Sequence, residues 1–190
     1  LYTGNGSTQT ISGLEFQPDW VWIRERNTAN AHKLYDAMRG VHEVLETNGT
    51  DAEGTDTNGL TAFNSDGFSV GSSISNNGSG DSYVSWNWNA GGSTVTNNDG
   101  SISSQVRANT TAGFSIVTYT GAGGVSTIGH GLGAIPDLVI IKGRDGNGQG
   151  GAAQYWVVGC PNTAAFGNGG SNHMFLDTNN AIMSNTTIWY

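Results

Sequence analysis

Short runs of apolar and aromatic residues whose side chains alternate between two faces recur along the chain and predict β-strands. In an extended strand every second side chain lies on the same face, so a period of two distinguishes a strand from a helix. Glycine and asparagine bound each run, as is usual for turns. We therefore predict an antiparallel sandwich of two β-sheets. The predicted strands are WVWIRE at 20–25, GFSVGSS at 67–73, SYVSWNWN at 82–89, GFSIVTYTG at 113–121, DLVIIKG at 137–143 and QYWVVG at 154–159.

A second pattern is an internal repeat, in which three segments from the first half of the chain recur in the same order in the second half. Within it, Pro18 and Asp19 match Pro136 and Asp137. Such a repeat predicts two tandem related units. The matching segments are YTGNG at 2–6 with YTGAG at 119–123, ISGLEFQPDWVWIR at 11–24 with IGHGLGAIPDLVIIK at 128–142, and HEVLETN at 42–48 with HMFLDTN at 173–179.

The repeat also gives the expected domain boundaries. Residues 1–92 form the first predicted β-sandwich unit and residues 111–190 form the second. Between them, residues 93–110 contain few large apolar side chains and are expected to be a linker. Because no counterpart of SYVSWNWNAGG follows the last match, we expect the second unit to be incomplete at its C-terminal end and the chain to be a piece of a longer polypeptide.

Residues 32–46 offer the one helix-like pattern. In HKLYDAMRGVHEVLE, apolar side chains such as Leu34, Met38 and Val41 recur at helical spacing. The matching region of the repeat reads QYWVVGCPN, which has the composition of a strand. We therefore predict a strand, a turn and a second strand here.

Four tryptophans lie in pairs on two predicted strands, and the two members of each pair share a face. Leu138 and Ile140 replace one pair in the second unit, and large aromatic side chains usually bury their area, so we favour a core position for all four. The alternative is an exposed platform on which sugar rings stack. Under that alternative the candidate glycan-binding residues are Trp20, Trp22, Trp86 and Trp88.

Composition narrows the classes of partner. The 190 residues carry a net charge of −8, and only 12% of them are charged. The sequence has no cluster of Lys and Arg of the kind that binds nucleic acid or anionic lipid. No apolar run approaches the roughly 20 residues of a membrane-spanning helix. We expect neither nucleic acid nor a membrane as a partner.

Few residues carry candidate chemistry. The segment DAEGTDTNG at 51–59 brings the carboxylates of Asp51, Glu53 and Asp56 close together in sequence, and Ca²⁺ accepts such ligands. Calcium is thus the one possible cofactor, and a solvated acidic loop is the alternative. The sequence contains no serine-hydrolase elbow, metalloprotease motif or nucleotide-binding motif, and no pair of strand carboxylates suited to glycoside hydrolysis. We expect no catalytic residues and no enzymatic activity.

Several of these segments, taken together, resemble a repeat found in structural proteins of tailed bacteriophages, notably marine ones. The resemblance covers nearly the whole chain. It implies a concanavalin-like or jelly-roll β-sandwich, the architecture of many lectins, and it brings no catalytic motif. The segments that carry it are NNDGSISSQVRANTTAGFSIVTYTG at 97–121, IGHGLGAIPDLVIIK at 128–142, FQPDWVWIRERN at 16–27, DGFSVGSS at 66–73 and SGDSYVSWNWNAGG at 79–92.

The resemblance implies a virion protein, such as a tail fibre or a similar appendage on the particle surface, that contributes to attachment to a host-surface glycan. Its expected partners are other virion proteins, that glycan and, by analogy with fibres, further copies of the same chain in a trimer. Two alternatives stay open. One is a purely structural or capsid-decorating protein that binds no sugar, and the other is a glycan-cleaving enzyme built on the same sandwich.

Overall fold

The computed structural model describes residues 1–146, 154–161 and 172–184. The chain divides into two compact units. The first unit comprises Leu1–Thr47 and Glu53–Thr94, and the second comprises Asn48–Ala52 and Val95–Tyr190.

Within the described residues the regular structure consists of sixteen strands and one four-residue helix, so the predicted all-β class is confirmed. Each of the six predicted strands contains an observed strand. In chain order the elements are β1 (Tyr2–Thr3), β2 (Gln9–Ser12), β3 (Trp20–Glu25), β4 (Lys33–Asp36), β5 (Glu43–Glu46), β6 (Gly54–Thr55), β7 (Leu60–Asn64), β8 (Gly67–Val70), α1 (Ile74–Asn77), β9 (Ser82–Trp88), β10 (Val95–Asn97), β11 (Ser104–Asn109), β12 (Phe114–Tyr119), β13 (Val139–Ile141), β14 (Val157–Gly159), β15 (Asn172–Phe175) and β16 (Met183–Ser184).

The first unit is a sandwich of two antiparallel sheets. One sheet has six strands in the order β1-β9-β3-β4-β5-β6, and the other has three in the order β2-β8-β7. Side chains from both sheets form one buried cluster, as in a sheet-on-sheet core. Its fully or almost fully buried members are Val21, Ile23, Tyr35, Val44 and Tyr83 from the larger sheet and Leu60, Phe68 and Val70 from the smaller one.

The turn between β4 and β5 confirms the predicted strand-turn-strand over 32–46. Arg39 is almost fully buried there, and its Nε lies 2.5 Å from Asp36 Oδ2. The Oδ1 atom of Asp36 accepts hydrogen bonds from the backbone N–H groups of Met38 and Arg39, at 3.1 and 2.9 Å. These bonds stabilise a turn after Asp36. The chain reverses direction there and does not continue as a helix.

The N-terminal segment is held by contacts to α1 and β9. Tyr2 stacks on Tyr83 with ring centroids 5.1 Å apart, and its hydroxyl donates to the Asn76 carbonyl at 2.6 Å. A Cβ on Gly4 would overlap the backbone carbonyl oxygen of Gly78, so this position requires glycine. Asn77, which is fully buried, donates to the Gly71 carbonyl at 2.8 Å.

The second unit contains two separate antiparallel sheets, β10-β11-β12 and β13-β14-β15-β16. Residues 93–110, which were expected to be a linker, therefore contribute two strands to this unit. In β11, buried Ser104 and Val106 flank exposed Gln105. The sequence signal for this strand is weak because Val106 is its only large apolar residue. The first unit accordingly ends at Thr94.

Among the described residues, no helix is long and apolar enough to cross a membrane.

Candidate functional site

The four tryptophans occupy adjacent positions on β3 and β9, two neighbouring strands of the six-stranded sheet. Trp20 on β3 is paired with Trp88 on β9, and Trp22 is paired with Trp86. Their rings are in contact across the strands, with centroids 6.4 Å apart in the first pair and 5.6 Å apart in the second. Strand alternation and antiparallel register thus gather residues from distant parts of the sequence into one aromatic patch.

This patch lies on the outer face of the sandwich, so the core position that we favoured for the tryptophans is wrong. Val21 and Ile23, which alternate with the tryptophans of β3, are fully buried in the core cluster. Trp86 is 45% exposed and Trp88 is 37% exposed. We call this side of the six-stranded sheet, which carries Trp20, Trp22, Trp86 and Trp88, the tryptophan face.

The orientation follows from which side of the larger sheet meets the smaller one. Val21 and Ile23 pack with Phe68 and Val70, which belong to the smaller sheet. On β9, Tyr83 fills the core, and its hydroxyl donates to the Ile74 carbonyl at 2.6 Å. Because aliphatic side chains and a hydrogen-bonded tyrosine already fill the core, the opposite side chains of β3 and β9 face outward.

Trp22 is held in place by a polar contact. Its indole Nε1 donates a hydrogen bond to Thr47 Oγ1 at 3.0 Å, and Thr47 is buried. The next residue along the cross-strand row is Leu34, which is paired with Trp22 in the register. A ring fixed on one edge by a hydrogen bond presents its remaining surface with little loss of rotamer entropy on binding.

Asp19 fixes the end of the tryptophan face, and sequence analysis did not assign it a role. Its buried carboxylate accepts hydrogen bonds from the backbone N–H groups of Ala90 and Gly92, at 2.8 and 3.2 Å. Its own N–H donates to the Trp88 carbonyl at 2.8 Å. These bonds tie the start of β3 to the loop that follows β9. The recurrence of Pro-Asp in the repeat was the signal that could have pointed to this role.

Arg24 is a second residue that sequence analysis missed. It lies on β3 two positions after Trp22 and is paired with Val84, so it shares the tryptophan face. Its Nη1 donates to the carbonyl oxygens of Glu25, Thr28 and Asn30, the last two at 3.0 and 3.3 Å. Arg24 is therefore half-buried and fixed beside the aromatic patch.

Two of the three calcium candidates make other contacts. Among the described residues no group of three or more His, Cys, Asp or Glu side chains is arranged to hold a metal ion. Glu53 Oε2 instead accepts a hydrogen bond from Arg39 Nη1 at 2.9 Å. Asp56 Oδ1 accepts a turn hydrogen bond from the Asn58 N–H at 3.0 Å. Asp51 is exposed and is assigned to the second unit.

The sequence matches the family described as "Domain of unknown function (DUF7483)" over residues 1–190, and the chain therefore belongs to this family. No curated protein matches the chain. No solved structure matches it either.

Proposed function

We propose that the chain is a non-enzymatic glycan-binding β-sandwich that belongs to a bacteriophage tail fibre or a similar virion appendage. The observation that carries the glycan-binding part is the tryptophan face, where Trp22 and Trp86 are in ring contact and Trp86 is 45% exposed. The virion part rests on the resemblance of the sequence to phage structural proteins.

Exposed tryptophans on a rigid strand suit sugar recognition. The apolar face of a pyranose ring stacks on an aromatic ring and removes apolar area from water, while the sugar hydroxyls remain solvated at the rim. Exposed aromatic side chains that lie next to one another often mark a binding surface, whereas apolar side chains scattered singly over a surface do not. Here the strands are held by the core on one side and by Asp19 at the end, so the platform is preorganised.

The main competitor is a structural role in which another virion chain covers the tryptophan face. The same exposed aromatics support that role, because protein interfaces are also enriched in tryptophan. The two functions differ in one measurable respect: a structural protein binds no free glycan.

The test is a glycan array that includes bacterial surface polysaccharides, probed with the folded chain. We expect reproducible binding with no change in the mass of the glycan after incubation. Trp86→Ala should reduce binding at least about tenfold, the size expected for losing one stacked aromatic contact. Cleavage of the glycan would contradict the non-enzymatic assignment.

Tyr119→Ala is the matched control for this experiment. Tyr119 is also an exposed aromatic residue on a strand, at 39% exposure, but it lies on β12 in the second unit. An equal loss of binding in both variants would show that the tryptophan face is not the site. If the folded chain binds no glycan at all, the structural role replaces the proposal.

A further inference from the structure

The tryptophan face combines its exposed rings with one fixed cation. Arg24 is two residues from Trp22 on β3 and diagonally across from Trp86 on β9. Diagonal neighbours in an antiparallel pair are about 7–8 Å apart at Cα, within reach of aromatic and long side chains. A sugar ring stacked on Trp86 therefore has its substituents within reach of the Arg24 guanidinium.

The guanidinium has a defined orientation. All the hydrogen bonds that it makes to the described residues leave from Nη1, and they run to the backbone carbonyls of Glu25, at the end of β3, and of Thr28 and Asn30 in the β3–β4 loop. Nε and Nη2 form the other edge of the same plane. Two parallel N–H groups on one edge of a guanidinium match the two oxygens of a carboxylate.

The charge around Arg24 supports an anionic ligand. The chain has 15 acidic and 7 basic residues, yet β3 and β9 place no carboxylate on the tryptophan face. On β4, Asp36 is paired with Trp20 on this face, but its carboxylate is already bound by Arg39. On β3 the one carboxylate is Glu25, which is fully buried on the opposite side. The positive charge of Arg24 also acts on a neighbour, because the pKa of His32 is lowered by burial and then by Arg24.

We propose that the tryptophan face binds a carboxylate-bearing glycan, with the sugar ring stacked on Trp86 and the carboxylate held by Arg24. This inference rests on the proposed glycan-binding function and specifies its ligand class. A neutral glycan would leave the outer edge of Arg24 hydrogen-bonded only to water, whereas a uronate would receive a charge-assisted bidentate contact.

The first test compares ligands and leaves the protein unchanged. Alginate, polygalacturonate and hyaluronate oligosaccharides are each paired with their carboxyl-reduced neutral forms, and binding is measured by calorimetry. We expect at least one acidic oligosaccharide to bind about tenfold or more tightly than its reduced form, as expected for one hydrogen-bonded charged contact. Equal affinity of every acidic and reduced pair would overturn the inference while leaving glycan binding intact.

The second test changes the protein. Arg24→Gln should abolish the preference for the acidic form, and Arg24→Lys should keep part of it because a lysine retains the charge but not the fork. Arg26→Gln is the matched control, since Arg26 is an exposed arginine directly after the end of β3 and its loss changes the net charge equally.

The outcomes separate the two proposals. An equal loss of preference in Arg24→Gln and Arg26→Gln would show that general charge, not the Arg24 contact, selects the ligand. Should Arg24→Gln fail to fold, the comparison of acidic and reduced ligands on the unchanged chain still decides the inference. Binding of neither form by the folded chain would overturn the proposed function itself.

Discussion

The tripeptide Tyr-Thr-Gly occurs in both units, but it meets different surroundings. In the first unit Tyr2 stacks on Tyr83, and Gly4 lies so close to the Gly78 carbonyl that no Cβ fits. In the second unit Tyr119 is 39% exposed, and a Cβ on Gly121 would meet no atom of the described residues within 4 Å. The same tripeptide is therefore closely packed in the first unit, where Gly4 cannot be replaced without a clash, and loosely packed in the second.

Strands β3 and β13, whose sequences also match, differ in the same way. Val21 and Ile23 of β3 are fully buried, whereas Val139 and Ile141 of β13 are half-buried. On the alternate positions, the tryptophans of β3 give way to an aliphatic pair that includes Leu138, which is 56% exposed. Matched residues therefore do not by themselves determine burial, because burial depends on what packs against each strand.

The largest expected effect comes from truncating the matched core positions. Ile23→Ala should lower the free energy of unfolding by about 2–5 kcal/mol, the range for removing a fully buried aliphatic side chain. Ile141→Ala should cost less, since its side chain is half-buried. Chemical denaturation of both variants measures the difference, and equal losses would contradict the contrast between β3 and β13.

The matched glycines give the next largest effect. Gly4→Ala should lower the free energy of unfolding by about 1–3 kcal/mol, because the added methyl group forces the backbone near Gly78 to move. Gly121→Ala should be neutral or stabilising by up to about 1 kcal/mol, since alanine restricts the unfolded chain. Thermal unfolding of the two variants compares them directly. Destabilisation by Gly121→Ala would show that the second unit is also closely packed there.

A smaller effect on stability is expected when Trp20 and Trp22 are replaced by the residues at the matching positions of the second unit, Leu138 and Ile140. The double variant Trp20→Leu, Trp22→Ile removes the hydrogen bond to Thr47, which contributes about 0.5–1.5 kcal/mol to stability. Core residues are unchanged, so the fold should persist, while glycan binding should weaken because the rings paired with Trp86 and Trp88 are replaced. Circular dichroism and the glycan array report the two properties separately. Unchanged binding would show that Trp20 and Trp22 do not contact the ligand.

The smallest effect concerns pH and His173 in the second unit. Burial lowers the pKa of His173, so the folded state holds it neutral at pH values where the unfolded state binds a proton. Stability should therefore be intact above the unfolded pKa of about 6.5 and fall as the pH drops below it, by less than about 1.4 kcal/mol per pH unit for one proton. In His173→Gln the free energy of unfolding, measured relative to its own value at pH 8, should fall less steeply as the pH drops. An unchanged slope would assign the pH dependence to other groups.

Sequence patterns located the strands well because a period of two is a local property. WVWIRE and SYVSWNWN became β3 and β9 with nearly the predicted bounds. Comparison with the strand-like second copy of the repeat correctly predicted strands over 32–46 in spite of the helical spacing, and the structure has β4 and β5 there. Strand β11 was missed because its alternation depends on Ser104 and Val106, and serine gives no apolar signal.

Which face of a strand points inward could not be predicted in the same way. The alternation of β3 predicts that Trp20 and Trp22 share one side and that Val21 and Ile23 share the other. Both sides are apolar, so the pattern does not indicate which one faces the core. The choice is made by Leu60, Phe68 and Val70, which lie far away in sequence and reach the strand only in the folded sandwich. Arg24 was overlooked for a related reason, since its position beside Trp86 depends on the pairing of β3 with β9.

The burial and hydrogen bonding of the Asn77 side chain have a chemical consequence. Asn77 precedes Gly78, the sequence context in which an asparagine side chain is most readily attacked by the following backbone nitrogen and deamidated. In the folded chain this side chain is fully buried and its amide donates to the Asn5 side chain and to the Gly71 carbonyl. Deamidation at this position therefore requires local opening of the N-terminal segment. The rate of deamidation would report how often that segment opens.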